Sequence, residues 1–320
     1  MSDLVVTSPA AAAPDLLAKA EAYCRRAGVP ATAGAHLDGV ALIARCQSYL
    51  DQASVADSSV IRTVHHLACT GGTLISKAIQ AQPNTQVLSE VDPFSTIPRD
   101  HQNRGFAPSD LILLARSGLF DLDPDTIGEM FYAALDILHG NTQKRGQHLV
   151  LRDHSHSHFF TEVAPESRPS LLELLRGRKT TLSILTVRHP IDSWLSLKGN
   201  NWRHFEPYTL EEYARRYALF LDCYSDCEVI KYEDFVAAPK LAMERICSLL
   251  RLPQNDDWQK LLPAIRLTGD SGRKSNRIAP RARREISAEM IAEAAASDSY
   301  QAVCARLGYD AALTGDTNSQ

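Results

Sequence analysis

The stretch Val187-Arg188-His189-Pro190-Ile191-Asp192-Ser193-Trp194-Leu195-Ser196 decides how the chain is read. The apolar run 181–187 stops at Arg188, and Pro190 opens a helical pattern, because proline is accepted in the first turn of a helix and breaks it further in. A buried strand therefore ends where a helix begins. Ser196 follows Arg188 by eight positions, about two turns into that helix. A strand-end guanidinium and a helix hydroxyl at this spacing can close on one phosphate, a task that suits the fork of donors on arginine. Alone, the same letters also spell a surface arginine and an incidental serine.

Working outward, strand-like apolar runs recur at 60–67, 85–88, 148–151, 181–187 and 227–232. Helical patterns separate most of them, at 74–81, 109–114 and 126–139, and further helices are expected from Ser287 and over 300–307. Strands alternating with helices give βαβ units. The predicted fold class is α/β: a mostly parallel central sheet flanked by helices. A small N-terminal helical segment is expected over 1–57, the main domain over 58–310 and a flexible tail over 311–320. Ligands of such sheets sit beyond the carboxyl ends of the strands. The positions to watch are therefore 68–73, Glu90, 152–158, Arg188 and 232–234.

Composition narrows the function classes. The chain has 320 residues, 44% hydrophobic and 22% charged, which is enough apolar material for a large core. Its net charge of −4 gives no overall basic field for nucleic acid or acidic membrane. No apolar run is long enough to span a bilayer, and the first residues lack a basic region followed by an apolar core. Seven scattered cysteines, an odd number with no Cys-Xxx-Xxx-Cys pair, point to reduced thiols and a cytoplasmic protein.

A second motif supports the first. His66-Leu67-Ala68-Cys69-Thr70-Gly71-Gly72-Thr73-Leu74-Ile75-Ser76-Lys77 runs from a strand through a glycine turn into a helix. Two glycines let the backbone curl, so that consecutive N–H groups point at one anion, and the helix N-terminus adds partial positive charge. The hydroxyls of Thr70 and Thr73 are further donors. The loop lacks the Gly-Lys-Ser/Thr ending of a Walker A motif.

Together these pieces resemble the sulfotransferases that use PAPS (3′-phosphoadenosine 5′-phosphosulfate). The loop Ala68–Leu74 is similar to that family's 5′-phosphosulfate loop, usually Pro-Lys/Arg-Ser-Gly-Thr-Thr. Arg188 and Ser196, at their eight-residue spacing, resemble its 3′-phosphate element. Tyr232-Glu233-Asp234 resembles a family signature after a strand, and Gly269-Asp270-Ser271-Gly272-Arg273-Lys274 the late loop that closes over the nucleotide. The order of the pieces matches over about residues 60 to 310. The resemblance implies a P-loop-like fold and PAPS as sulfuryl donor. It assigns Cys69, Thr70, Gly71, Gly72, Thr73 and Leu74 to the phosphosulfate, and Arg188, Ser196, Tyr232, Arg273 and Lys274 to the rest of the nucleotide.

The sequence departs from the family at Cys69, which stands where a lysine or arginine usually neutralises the phosphosulfate. Lys77, one helical turn after Thr73, and His66 are the candidate substitutes. Two base candidates come next. Glu90 ends a strand about twenty residues after the loop, as does the base of the branch acting on protein tyrosines, and a half-desolvated carboxylate there would carry a raised pKa. His154, in Arg152-Asp153-His154-Ser155-His156-Ser157-His158, aligns with the histidine base of the cytosolic branch, and Arg152 could add positive charge. His154, His156 and His158 would share one face if extended, which also suggests a metal, although the family's chemistry needs none and none is expected here.

The expected partner is a small-molecule or peptide acceptor. Trp194, Trp202, Phe205 and Tyr208 hint at a flat or apolar one, as core packing would also explain. The basic run Arg273, Lys274, Arg277, Arg281, Arg283 and Arg284 fits a flexible lid better than a nucleic-acid surface, since no aromatics are interleaved. Two rival readings stand beside the transferase. One is a P-loop kinase, in which Asp153 after Leu149-Val150-Leu151-Arg152 would hold magnesium. The other is a nucleotide-binding homologue made inactive by Cys69.

Overall fold

The computed structural model describes residues 60–95, 111–116, 122–267 and 278–313. The expected N-terminal helical segment, and Arg273, Lys274 and Arg277 of the basic loop, lie outside the described residues.

Five strands form one parallel sheet: β1 (Val60–His66), β2 (Thr85–Val91), β3 (His148–Asp153), β4 (Thr180–Val187) and β5 (Glu228–Lys231), in the order β2-β3-β1-β4-β5. Each of the five apolar runs is a strand. Such runs are continuous rather than alternating because a parallel sheet is covered on both faces. β2 continues past Leu88 through a register shift against β3, and Glu90 sits there with φ 64°. That bulge carries a carboxylate to the strand end instead of leaving it in a loop.

The first helices are α1 (Gly72–Gln80), α2 (Leu111–Arg116) and α3 (Pro124–Lys144), each overlapping an expected pattern. Asp123 caps α3 by accepting from the Thr126 amide at 2.8 Å. Such caps are worth about 1 kcal/mol. Two short helices, α4 (Ser155–Phe159) and α5 (Leu171–Leu175), follow β3, and α6 (Pro190–Gly199) follows β4. Beyond these come α7 (Leu210–Cys223), α8 (Tyr232–Ala237), α9 (Pro239–Leu250), α10 (Trp258–Leu261), α11 (Ala288–Ala296) and α12 (Asp298–Leu307).

Side chains alternate across a strand, so each face of the sheet has its own core. Val64, Val150, Ile184 and Ile230 pack with Leu74, Ile75 and Ile79 of α1 and with Phe235, Met243 and Ile246 of α8 and α9. On the other face Leu185 and Val187 pack with Trp194 of α6, Tyr213, Tyr217 and Phe220 of α7, and Tyr300 of α12, while Ile61, Leu149 and Leu151 meet Leu135, Leu171 and Leu175. The same alternation splits the polar strand ends. His66 and Arg152 face α1; His65 and Asp153 face α7. Packing continues to Leu313, which is buried, and Tyr300 donates to Ala311 O at 3.4 Å. The packed chain thus runs three residues past the expected domain boundary.

Among the described residues, no helix is long and apolar enough to cross a membrane.

Candidate active site

The carboxyl ends of the strands meet around the glycine turn between β1 and α1. Gly71 has φ 88°, a conformation that suits glycine. A β-carbon on Gly71 would overlap the Tyr232 ring, and one on Gly72 would overlap the His66 ring. The turn is therefore clamped between an aromatic ring from the end of β5 and an imidazole from the end of β1. Leu74 and Ile75 direct their amides to Gly71 O, at 3.0 and 3.3 Å. The amides of Gly72 and Thr73 stand at the open N-terminus of α1, where an anion is favoured. Thr70 differs from expectation. It is buried and donates its hydroxyl to Leu67 O at 2.7 Å, so it staples the loop instead of facing a ligand.

Arg188 adjoins this loop. Its Nη1 donates to Cys69 O at 3.2 Å and to Ser196 Oγ at 3.4 Å, and its guanidinium carbon lies 5.1 Å above the Tyr232 ring. The pair expected to close on one phosphate is thus already in contact, beside the glycine turn. Arg283 pairs with Asp192 of α6, and Arg284 donates to Leu195 O at 3.1 Å. These two members of the basic run thus lie along α6, next to Ser196.

The missing loop cation has a counterpart that comes from β3. Arg152 is buried and donates from Nη2 to Thr73 Oγ1 at 3.1 Å and from Nη1 to Ser89 Oγ at 2.6 Å. His66 orients it: Nε2 of the imidazole accepts from Arg152 Nε at 3.1 Å and lies 2.7 Å from Nη2. Burial and the neighbouring Arg152 charge hold His66 well below its ordinary pKa, so the ring is neutral. It cannot itself be the substitute cation. Lys77 occupies the last turn of α1. That places it roughly 6 Å farther along the helix axis than Thr73. Arg152 is the cation that donates a hydrogen bond to the Thr73 hydroxyl.

The two base candidates are linked to this guanidinium in series, His154 through Glu90. Glu90 Oε1 pairs with Arg152 Nη1 at 2.8 Å, and Glu90 Oε2 meets His154 Nε2 at 3.0 Å. The expected upward shift of Glu90 is reversed. Burial pushes its carboxyl up, but the His154 hydrogen bond and the charges of Arg152 and His154 together outweigh burial and hold it below the usual carboxylate range. Glu90 is therefore an ion-paired carboxylate that fixes His154.

The three alternating histidines do not form one cluster: the His154 and His156 rings stack with centroids 6.5 Å apart, while His158 is engaged elsewhere. His158 is buried, with Nε2 2.8 Å from Pro165 O. His156 packs edge-on to Phe160, Trp202 and His204. Burial pushes it down to about 3, so it is a neutral ring in an aromatic collar beside His154. Of the aromatic residues suggested for an acceptor, Trp194 and Phe205 are core residues. Trp202 stands at the collar.

Asp153, the magnesium ligand of the kinase reading, is buried on the opposite face of the sheet. Its Oδ2 takes hydrogen bonds from Tyr224 and from Ser155 at 3.2 Å and lies 2.9 Å from His65 Nδ1. That carboxylate is occupied away from the glycine turn, which removes the main support for the kinase.

Sequence reading did not anticipate this His65–Asp153–Tyr224 anchor, nor Tyr217, whose hydroxyl accepts from Arg188 N and donates to Arg188 O. The adjacent pair His65-His66 at a strand end was the available signal for the first, since neighbours in a strand serve opposite faces. Tyr217 carried none, because its partner is 29 residues away.

No family model and no curated protein matches the chain. Two solved structures are similar to it. The sulfotransferase domain of the Synechococcus PCC 7002 olefin synthase aligns with a TM-score of 0.50 at 18% identity, over 78% of this chain and 95% of that one. The sulfotransferase from Alicyclobacillus acidocaldarius aligns with a TM-score of 0.42 at 14% identity, over 78% of this chain and 96% of its own. The first likeness, together with the five-stranded parallel sheet and its flanking helices, shows that this chain has the sulfotransferase fold.

Proposed function

We propose that the protein transfers a sulfuryl group from PAPS to an acceptor hydroxyl. The observation that carries this reading is the contact of two anion-binding elements: the glycine turn at the N-terminus of α1, and the Arg188–Ser196 pair that touches its carbonyl at Cys69. A ligand with phosphates at both ends of one adenosine fits that arrangement. The donor supplies an activated sulfuryl group. The amides of Gly72 and Thr73 bind its 5′ end, and Arg188 and Ser196 its 3′-phosphate.

His154 takes the proton from the acceptor oxygen, which then attacks sulfur. The bond from sulfur to the phosphate oxygen breaks, and adenosine 3′,5′-bisphosphate leaves. Arg152, beside Thr73, balances the charge that collects on the leaving oxygen, as a preorganised cation does in phosphoryl transfer. Glu90 holds the imidazole in place, and burial of the cluster strengthens each of these interactions. His156, Trp202 and His204 line the approach to His154, which suits a neutral acceptor with a flat or apolar body.

Thermal shift separates the readings. Adenosine 3′,5′-bisphosphate is expected to raise Tm more than 5′-AMP or ATP with magnesium, since only a ligand bound to the native state stabilises it. Equal shifts with 5′-AMP would remove the 3′-phosphate from the argument.

A further inference from the structure

We propose that Glu233 is a positioning residue for Arg188, and that it acts jointly with Tyr309 from the C-terminal end of the domain. The proposal rests on the function above and deepens it by naming what builds the 3′-phosphate seat.

Arg188 and His189 form the corner between β4, which ends at Val187, and α6, which starts at Pro190. Backbone groups at such a corner have no sheet or helix partner and must find one elsewhere. Side chains supply them here. The Tyr217 hydroxyl serves both the amide and the carbonyl of Arg188, at 3.2 and 3.0 Å. The amide of His189 donates to Glu233 Oε1 at 2.9 Å. The second carboxylate oxygen, Glu233 Oε2, accepts from Tyr309 at 2.7 Å.

Tyr309 is fixed in turn. Lys231 Nζ lies 4.6 Å from its ring centre and 3.5 Å from Gly308 O. The His189 ring donates from Nε2 to Asp310 O at 3.0 Å, while its Nδ1 accepts from Ile191 N at 3.3 Å. The corner is thereby tied to residues 308–310, just past α12.

Glu233 follows Tyr232, so one dipeptide at the end of β5 holds both parts of the seat. The Tyr232 ring fills the space above Gly71 and supports the Arg188 guanidinium. The Glu233 carboxylate pins the backbone from which that guanidinium projects. Glu233 acts on Arg188 through the backbone amide next to it. A carboxylate suits the task because both of its oxygens accept and here both face donors.

The test is the ratio of affinities for adenosine 3′,5′-bisphosphate and 5′-AMP, measured by calorimetry on the full chain. Glu233→Ala is expected to lower that ratio about tenfold and Tyr309→Phe about threefold, from the loss of charge-assisted hydrogen bonds. Affinity for 5′-AMP stays unchanged in both. The double variant is expected to be no worse than Glu233→Ala alone, since the two residues act in series. A purely structural role would lower Tm and leave the ratio at its wild-type value, and that result overturns the proposal. If Glu233→Ala does not fold, Tyr309→Phe, which removes a single hydroxyl, decides by the same ratio. A wild-type protein with no preference for the bisphosphate defeats the function reading first, and this proposal with it.

Discussion

Arg152 at the end of β3 donates to the hydroxyl of Thr73 in the glycine turn, across 3.1 Å. The loop has a thiol where a cation is expected, and a guanidinium from a neighbouring strand stands beside it. Positive charge beside the glycine turn is supplied across the sheet.

Replacing Arg152 by Gln is expected to lower kcat by about 10²–10³, the usual effect of losing a preorganised charge at a reacting centre. Adenosine 3′,5′-bisphosphate affinity should fall far less, since Arg188 is untouched. Arg152→Lys restores part of the rate. Steady-state kinetics beside calorimetry checks this; equal losses in kcat and affinity would make Arg152 a binding residue only.

Glu90 and His154 should separate in their effects. His154→Ala is expected to reduce kcat by about 10²–10⁴, as removal of a general base does. Glu90→Gln should be milder, about tenfold, because it disturbs the base without removing it. Glu90 is held below the usual carboxylate range, so it stays ionised at neutral pH. A larger loss for Glu90→Gln than for His154→Ala would reverse the two roles.

The glycine turn has no room for side chains. A β-carbon on Gly71 meets the Tyr232 ring, and its φ of 88° is unfavourable for alanine. Gly71→Ala is therefore expected to cost about 2 kcal/mol or more. Adding Tyr232→Ala removes the clash but not the backbone strain, so the double variant recovers only part of the loss. Chemical denaturation measures this. Full recovery would mean that φ contributes nothing.

Cys69 is expected to be a poor nucleophile. Burial pushes its thiol up to about 11, so it is protonated at neutral pH. Iodoacetamide should modify it slowly, and Cys69→Ser should keep kcat within about threefold. Fast alkylation at neutral pH, located by peptide mapping, would show a thiolate and refute this.

Acid should destabilise the fold in two steps. His148 and His156 are pushed by burial to about 4 and about 3, from 6.5. The unfolded chain therefore binds more protons as pH drops below about 6.5, and stability falls towards those values. Glu90 and Asp153, both held below their ordinary range, extend the loss below about pH 4.5. Tm measured from about pH 7 to about pH 4 should decline steadily, and His156→Phe should flatten the upper part. A Tm independent of pH between about 6.5 and 5 would be inconsistent with buried neutral imidazoles.

What the sequence revealed was local. Five apolar runs became five strands because strands buried on both faces need no polar alternation. The eight-residue step from Arg188 to Ser196 and the two adjacent glycines are fixed by helix and turn geometry, and the structure brings both motifs together. The errors concern contacts between distant segments. Glu90 was expected to have a raised pKa because Arg152 and His154, distant in sequence, become its neighbours only through the β2–β3 pairing. Thr70 was expected at a ligand, but its hydroxyl turns inward to Leu67 O. His158 was expected on a common face with His154 and His156 by assuming an extended chain; a five-residue helix forms, and only His154 and His156 stack.

The strand order β2-β3-β1-β4-β5 has a practical consequence. The groups proposed to grip the nucleotide project from the β1, β4 and β5 side of the sheet, while Glu90 and His154 belong to the β2 and β3 side. Acceptor preference can therefore be redesigned at 91–95 and 155–160, beyond the ends of β2 and β3, while Glu90, Arg152 and His154 and the donor-holding half of the sheet keep their sequence.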